Sequence, residues 1–268
     1  MDDVDSRLEP DSWALGTMAR VRAMRDPVAI VEQAIERPMY FKASVDALRH
    51  CEPDSTAART LVNAHERSEA PSWLVACLLG CNRHPDGYSR ALAILCAGDG
   101  LLSESYASHA LVSIRGERAL PDLVAALESS EDGNVRKAAA SALGRLGSTR
   151  AIDALRAAVL SRRLRGRTVG AALTRFAVPP ETLVNDLRSQ DRETRRWPAV
   201  LIDQRIGRLD DDSVSSHLAD CGRCGALRSA LATLLDTGDD AVLPGEARRI
   251  RAWLYSLAPC DRNGDSPP

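Results

Sequence analysis

The chain has 268 residues, enough for a large core in one or two domains without covalent staples. Aromatic residues make up only 4% of it while alanine and leucine abound, a balance that excludes a β-rich core and favours close helix packing. The formal net charge of −2 hides an uneven spread: residues 118–208 hold 17 arginines and lysines against 10 aspartates and glutamates. Lys42 and Lys137 are the only lysines, so the basic character is guanidinium, a planar fork that suits carboxylate or phosphate.

The first residues, MDDVDSRLEP, are acidic and carry no apolar run, so a secretory leader is not expected. Seven cysteines without that context read as reduced thiols of a cytoplasmic protein. No stretch approaches the roughly 20 apolar residues that span a bilayer, so no membrane partner is expected. Residues 1–20 read as a tail or cap.

From there the chain repeats. DPVAIVEQAIER with MYFKASVDALRHC (26–51) makes a first pair of helices, and DSTAARTLVNAHER with PSWLVACLLGCNRH (54–84) a second. SRALAILCAG (89–98), RALPDLVAAL (118–127), RAIDALRAAV (150–159) and PETLVNDLRS (180–189) are versions of one segment. Second helices follow the first three: SYASHALVSIRG (105–116), NVRKAAASALGRLG (134–147) and RTVGAALTRFA (167–177). Turn signals separate them at PDG (85–87), EDGN (131–134), GST (147–149) and Pro179–Pro180. In GRLGSTR (144–150) the spacing predicts Gly147 in the left-handed conformation at a helix end, with Ser148 or Thr149 capping the next helix. Small residues, Ala138, Ala139, Ala142 and Gly144, let second helices approach closely.

A unit of two helices recurring at this period cannot bury its apolar stripe alone and stacks on its neighbours. GNVRKAAASALGRLGSTRAIDAL (133–155) resembles the HEAT repeat family, in particular the short variety first described in phycobilin lyases. The resemblance implies an all-α fold, an α-solenoid of about five to six helical hairpins over residues 21–194. Trp197–Pro198 is expected to interrupt the last second helix, because proline removes a backbone donor, and to mark a boundary.

Residues 195–268 are expected to form a small helical module. In HLADCGRC (217–224), His217, Cys221 and Cys224 share one face of a helix, a start on a soft tetrahedral site. The same spacing also fits a buried stripe continued by Leu231 and Leu235. The stretch 195–236 resembles the zinc-binding anti-sigma factor family: Gly207, Leu209 and Asp210 to Asp212 stand at its turn and linker, and His217, Cys221 and Cys224 at its ligand positions. That resemblance implies a module that binds zinc and contacts a transcription factor or senses thiol redox state. The family's upstream His or Cys is missing, since neither occurs between His109 and His217. Asp191, Glu193, a water or the downstream Cys260 remain for the fourth position, and Cys260 is taken as the candidate ligand beside the other three.

Arg136 and Lys137, then Arg162, Arg163, Arg165 and Arg167, then Arg192, Arg195 and Arg196 fall near the start of three successive second helices, which in HEAT arrays usually line the concave surface. Stacking would align them into a groove for an acidic partner, unless they are spent in local pairs with Asp132, Asp191 and Glu193. Cys77, Cys81, Cys96, His84 and His109 read as packing and turn residues rather than a second metal site, and the lone pair His65–Glu66 falls short of the several pairs that iron-binding HEAT hydroxylases use. No nucleotide loop, nucleophile elbow or zinc-protease helix occurs. The expectation is a non-catalytic adaptor or regulator that holds an acidic protein segment, linked to transcription through its last module. A nucleic-acid binder resembling HEAT-like alkylpurine glycosylases and a bilin-lyase-like enzyme are the alternatives; few aromatics for base stacking and an acidic overall balance weigh against the first.

Overall fold

The computed structural model describes residues 10–174, 178–207 and 225–256. Among these the protein is entirely helical apart from turns. A first helix, α1 (Pro10–Ala23), precedes six successive pairs: α2 (Pro27–Glu36) with α3 (Phe41–Arg49), α4 (Ser55–Glu66) with α5 (Ser72–Asn82), α6 (Tyr88–Ala97) with α7 (Leu101–Arg115), α8 (Leu120–Ser129) with α9 (Gly133–Leu146), α10 (Thr149–Leu160) with α11 (Gly166–Ala172), and α12 (Pro180–Leu187) with α13 (Arg192–Ile206). A further pair, α14 (Gly225–Asp236) and α15 (Pro244–Ser256), follows. No helix among the described residues is long and apolar enough to cross a membrane.

The chain divides into two compact units, Met1–Ala139 and Ala140–Pro268. In the first, α2 packs on α4 and α3 on α5, which packs in turn on α7, so first helices stack on first and second on second. Ile30, Leu48, Leu61, Leu74, Leu78, Ile94 and Leu111 are fully buried between these layers. Helix starts are set by side chains that take up otherwise orphaned N–H groups: Asp26 accepts from Val28 N–H at 3.0 Å and Asp54 from Ala57 N–H at 2.7 Å. Asn82, buried at the end of α5, closes the α4–α5 hairpin by accepting the Asp54 N–H at 3.0 Å and donating to the Asp54 carbonyl at 2.7 Å.

In the second unit α11 packs on α13, α12 on α13 and α14, and α13 on α15. The expected cap follows the α9–α10 junction: Gly147 has φ +64° and Ser148 accepts the Ala151 N–H at 3.3 Å. Close approach of second helices depends on glycine. A β-carbon on Gly170 would stand 2.5 Å from the Trp197 carbonyl oxygen, and one on Gly144 only 2.1 Å from that of Ala172.

The expected break at Trp197–Pro198 is absent, since α13 runs through Pro198 without interruption. Tertiary burial outweighs a proline cost of about 3 kcal/mol, with Trp197 fully buried and its Nε1–H donating to Asp186 at 2.9 Å. The last pair of helices packs on α12 and α13 just as earlier hairpins pack on one another, first helix on first and second on second.

Candidate interaction surface

An inner turn joins the two helices of each hairpin. In the second unit, the Gly166 N–H at the start of α11 donates to Glu193 Oε2 near the start of α13 at 2.8 Å. Arg162, in the preceding turn, faces Asp191, whose carboxyl is held below the usual range by the Thr194 hydroxyl and N–H and by Arg162 and Arg195. The inner turns 161–165 and 188–191 therefore lie side by side and carry Arg162, Arg163, Arg165 and Arg188. Arg162, Arg165, Arg167 and Arg188 are exposed. Arg165, Arg167 and Arg188 make no ion pair or side-chain hydrogen bond among the described residues. Arg188 belongs with them, although its sequence neighbours give no sign of it: it ends the first helix of its hairpin, outside the pattern of second-helix starts.

The other arginines of the expected stripe are engaged inside the unit. Arg196 is buried and forms a two-pronged pair with Glu246 of α15, Nη2 to Oε1 at 2.7 Å, while Nη1 also reaches the Ala241 carbonyl at 2.8 Å. Arg195 pairs with Asp239 at 2.7 Å, and Arg192 with Asp240 at 2.9 Å and Glu193 at 3.0 Å. These three close the turn between α14 and α15 onto α13. Burial pushes the Glu246 carboxyl up, but Arg196 and the Leu243 N–H together outweigh it and the net shift is down. Two further forks, Arg156 on Asp186 at 2.6 and 2.7 Å and Arg249 on Asp203 at 2.7 and 2.9 Å, work the same way. A cleft of about 490 Å³ remains between the α12–α13 turn and α14, lined among others by Arg188, Gln190, Arg195 and Thr233.

Arg136 and Lys137 open α9 in the first unit. Arg136 donates to the Ser130 carbonyl at 2.8 Å and Lys137 is exposed. Two inner turns of this unit present acids, Asp99 between α6 and α7 and Asp132 between α8 and α9. Asp99, between α6 and α7, accepts the Ser72 hydroxyl at 2.9 Å, and His65 Nε2 lies 3.0 Å from the same hydroxyl. A carboxylate only accepts, so the serine proton points to Asp99 and His65 must donate its Nε2–H. Burial and the nearby Arg90 keep that imidazole below its ordinary value, hence neutral.

The candidate zinc ligands His217, Cys221, Cys224 and Cys260 all lie outside the described residues. Among the described residues no group of three or more His, Cys, Asp or Glu side chains is placed to hold a metal ion. Cys77 and Cys81 do more than pack. One turn apart on α5, their thiols hydrogen-bond, and this bond together with the Arg49 side chain brings Cys81 down to about 7 against the opposing effect of burial, while Cys77 moves up.

With this geometry established, known proteins add one match. Residues 72–174, from α5 to the end of α11, match the family model for HEAT repeats. No curated protein matches the chain. The stacked hairpins and the match together make the fold all-α, of HEAT type.

Proposed function

We propose that the protein is a non-catalytic interaction protein whose C-terminal unit holds an acidic protein segment on its arginine-bearing inner turns. HEAT repeats point to a protein-interaction or scaffold role in general. The acidic partner rests on one observation: Arg165, Arg167 and Arg188 stand exposed beside Arg162 with no ion pair among the described residues, while Arg192, Arg195 and Arg196 are closed by internal acids. A guanidinium left without an internal carboxylate is free to give charge-assisted hydrogen bonds to one from outside. Arg192, Arg195 and Arg196 shape this surface by fixing the last hairpin beside it rather than by touching the partner.

The test is fluorescence anisotropy of a labelled glutamate-rich peptide with the whole chain and with an Arg162→Glu, Arg165→Glu, Arg167→Glu variant. Loss of binding in the variant supports the reading, and equal binding by both proteins sinks it. Capture of duplex DNA or RNA in preference to the peptide, weakening steeply with salt, would turn the reading to nucleic acid.

Zinc held by His217, Cys221, Cys224 and Cys260, and a link to transcription through the anti-sigma-like motif, belong to the same proposal and rest on spacing alone. Elemental analysis of protein purified without a metal resin decides the first. Near one equivalent of zinc, lost in a Cys221→Ser, Cys224→Ser variant, is the expected result.

A further inference from the structure

The first unit has a surface of the opposite kind. The turn Gly98–Asp99–Gly100 joins α6 to α7 with φ +70° at Gly98 and +123° at Gly100, values that ask for glycine. Four residues further on, Glu104 is fully buried, and neither of its carboxylate oxygens makes a hydrogen bond of ordinary geometry. The charged side chains that face it are Asp132 and Asp99, both acidic; burial first and then these two raise its carboxyl above the usual range, and the Gly100 N–H alone favours its charged form.

Asp132 comes from the next hairpin. Its Oδ1 accepts the Asn134 N–H at 2.7 Å, while Oδ2 lies 3.1 Å from the point where a β-carbon on Gly98 would stand. Glu104 Oε1 is 3.9 Å from that same point. Two carboxylates from successive hairpins thus converge on the bare side of Gly98, with Asp99 beside them.

Leu101 and Leu102 open α7 next to these carboxylates and are 59% and 54% exposed, a pair of large apolar side chains left in water where single ones are ordinary. The carboxylates do not converge closely enough for a metal ion. A guanidinium or ammonium on a flexible stem spans wider spacings, and its stem lies comfortably along leucine. We propose that the α6–α7 turn, with Asp99, Glu104, Asp132, Leu101 and Leu102, docks a protein segment that presents an arginine or lysine next to an apolar side chain. The cation answers the cluster of carboxylates, and the apolar neighbour covers the leucines.

The probe is a labelled peptide of alternating arginine and leucine in a glycine–serine frame, with a second in which glutamate replaces arginine, both titrated by anisotropy against the whole chain. The arginine peptide binds, and Asp99→Asn with Asp132→Asn weakens it roughly tenfold, the equivalent of about 1.4 kcal/mol. Leu101→Ser with Leu102→Ser weakens it several-fold and persists as a defect at high salt, where the charge contribution is screened. Far-UV circular dichroism shows that each variant is folded, and the leucine pair, being exposed, serves if the aspartate pair is not. The Arg162→Glu, Arg165→Glu, Arg167→Glu protein binds the arginine peptide as well as the parent does, so this proposal and the acidic-partner reading fail separately. No binding, equal binding by parent and both double variants, or equal affinity for the glutamate peptide at this turn overturns the proposal. So does a calcium-dependent rise in melting temperature that Glu104→Gln abolishes, since a metal ion would then own the site.

Discussion

In the N-terminal unit the α6–α7 and α8–α9 turns carry Asp99 and Asp132; in the C-terminal unit the turns 161–165 and 188–191 carry Arg162, Arg165 and Arg188. The units also differ in how they treat charge inside. The second buries Arg196 against Glu246 and holds Asp186 between Arg156 and Trp197, so these interior charges meet their complements. The first buries Glu104 among other acids. Where a charge is closed by a partner in the same unit it serves the fold, and the two proposed docking surfaces draw on charges left open on turns. A count of charges along the sequence merges these two roles.

The sharpest way to break this contrast is at its best-closed pair. Glu246→Ala strands a buried guanidinium and should cost about 3–5 kcal/mol in urea unfolding, whereas replacing both Arg196 and Glu246 with apolar residues of similar size should cost far less. The pH dependence has a definite sign. Because the folded Glu246 carboxyl sits below its unfolded value, near 4.3, the pair stabilises fully above that pH and its contribution is lost as pH falls through the depressed folded value. Parent and Glu246→Gln stabilities should therefore converge in acid. A gap of constant size across pH would show that packing, not charge, holds the last hairpin.

Packing differs between the units in a way that a second pair of variants exposes. Gly170→Val drives a side chain into the Trp197 carbonyl, already 2.5 Å from a single added carbon, and should cost at least about 1–3 kcal/mol. Gly80→Ala in the first unit meets Ala110 Cα at 3.1 Å, which a few tenths of an ångström of movement relieves, so its cost should be clearly smaller. Equal costs would mean that the second helices of both units yield alike. Smaller again is the cap of α13. Asp191→Ala removes the acceptor of the Thr194 N–H, held at 2.7 Å, for about 1 kcal/mol by thermal unfolding.

What the sequence made legible follows the same division. Helix positions were readable because apolar residues recur with helical period between turn residues of definite chemistry, and Gly147–Ser148 did what those residue types do at a helix junction. Pro198 misled because local propensity is a weak constraint beside the burial of Trp197 and its bond to Asp186, partners assembled only by folding. The arginine stripe was half readable. The anticipated local acids are real, with Arg192 on Glu193 and Arg162 facing Asp191, but the strongest partners of Arg195 and Arg196 stand 44 and 50 residues downstream, where no local pattern reveals them. Arg188 and Glu104 escaped for the opposite reason: each looks like an ordinary helix residue until the neighbouring turn is placed beside it.

Glu104→Gln gives the smallest effect and bears most directly on why the first unit keeps a buried acid. With the folded carboxyl raised above its unfolded value, the charged form is penalised in the folded protein at neutral pH, and the penalty vanishes once pH falls below the unfolded value near 4.3. The amide keeps the shape and removes the charge, so the variant should be more stable than the parent at pH 7 by up to about 1 kcal/mol, with the advantage disappearing as both are titrated into acid. The arginine–leucine peptide should raise the parent's melting temperature more than the variant's, because only the parent has a buried charge for the peptide to relieve. A stabilised variant that also loses this response would mean that the acid is retained for binding at the expense of stability. A variant less stable than the parent would instead make Glu104 a structural carboxylate served by the Gly100 N–H, as an acid in the first turn of a helix ordinarily is.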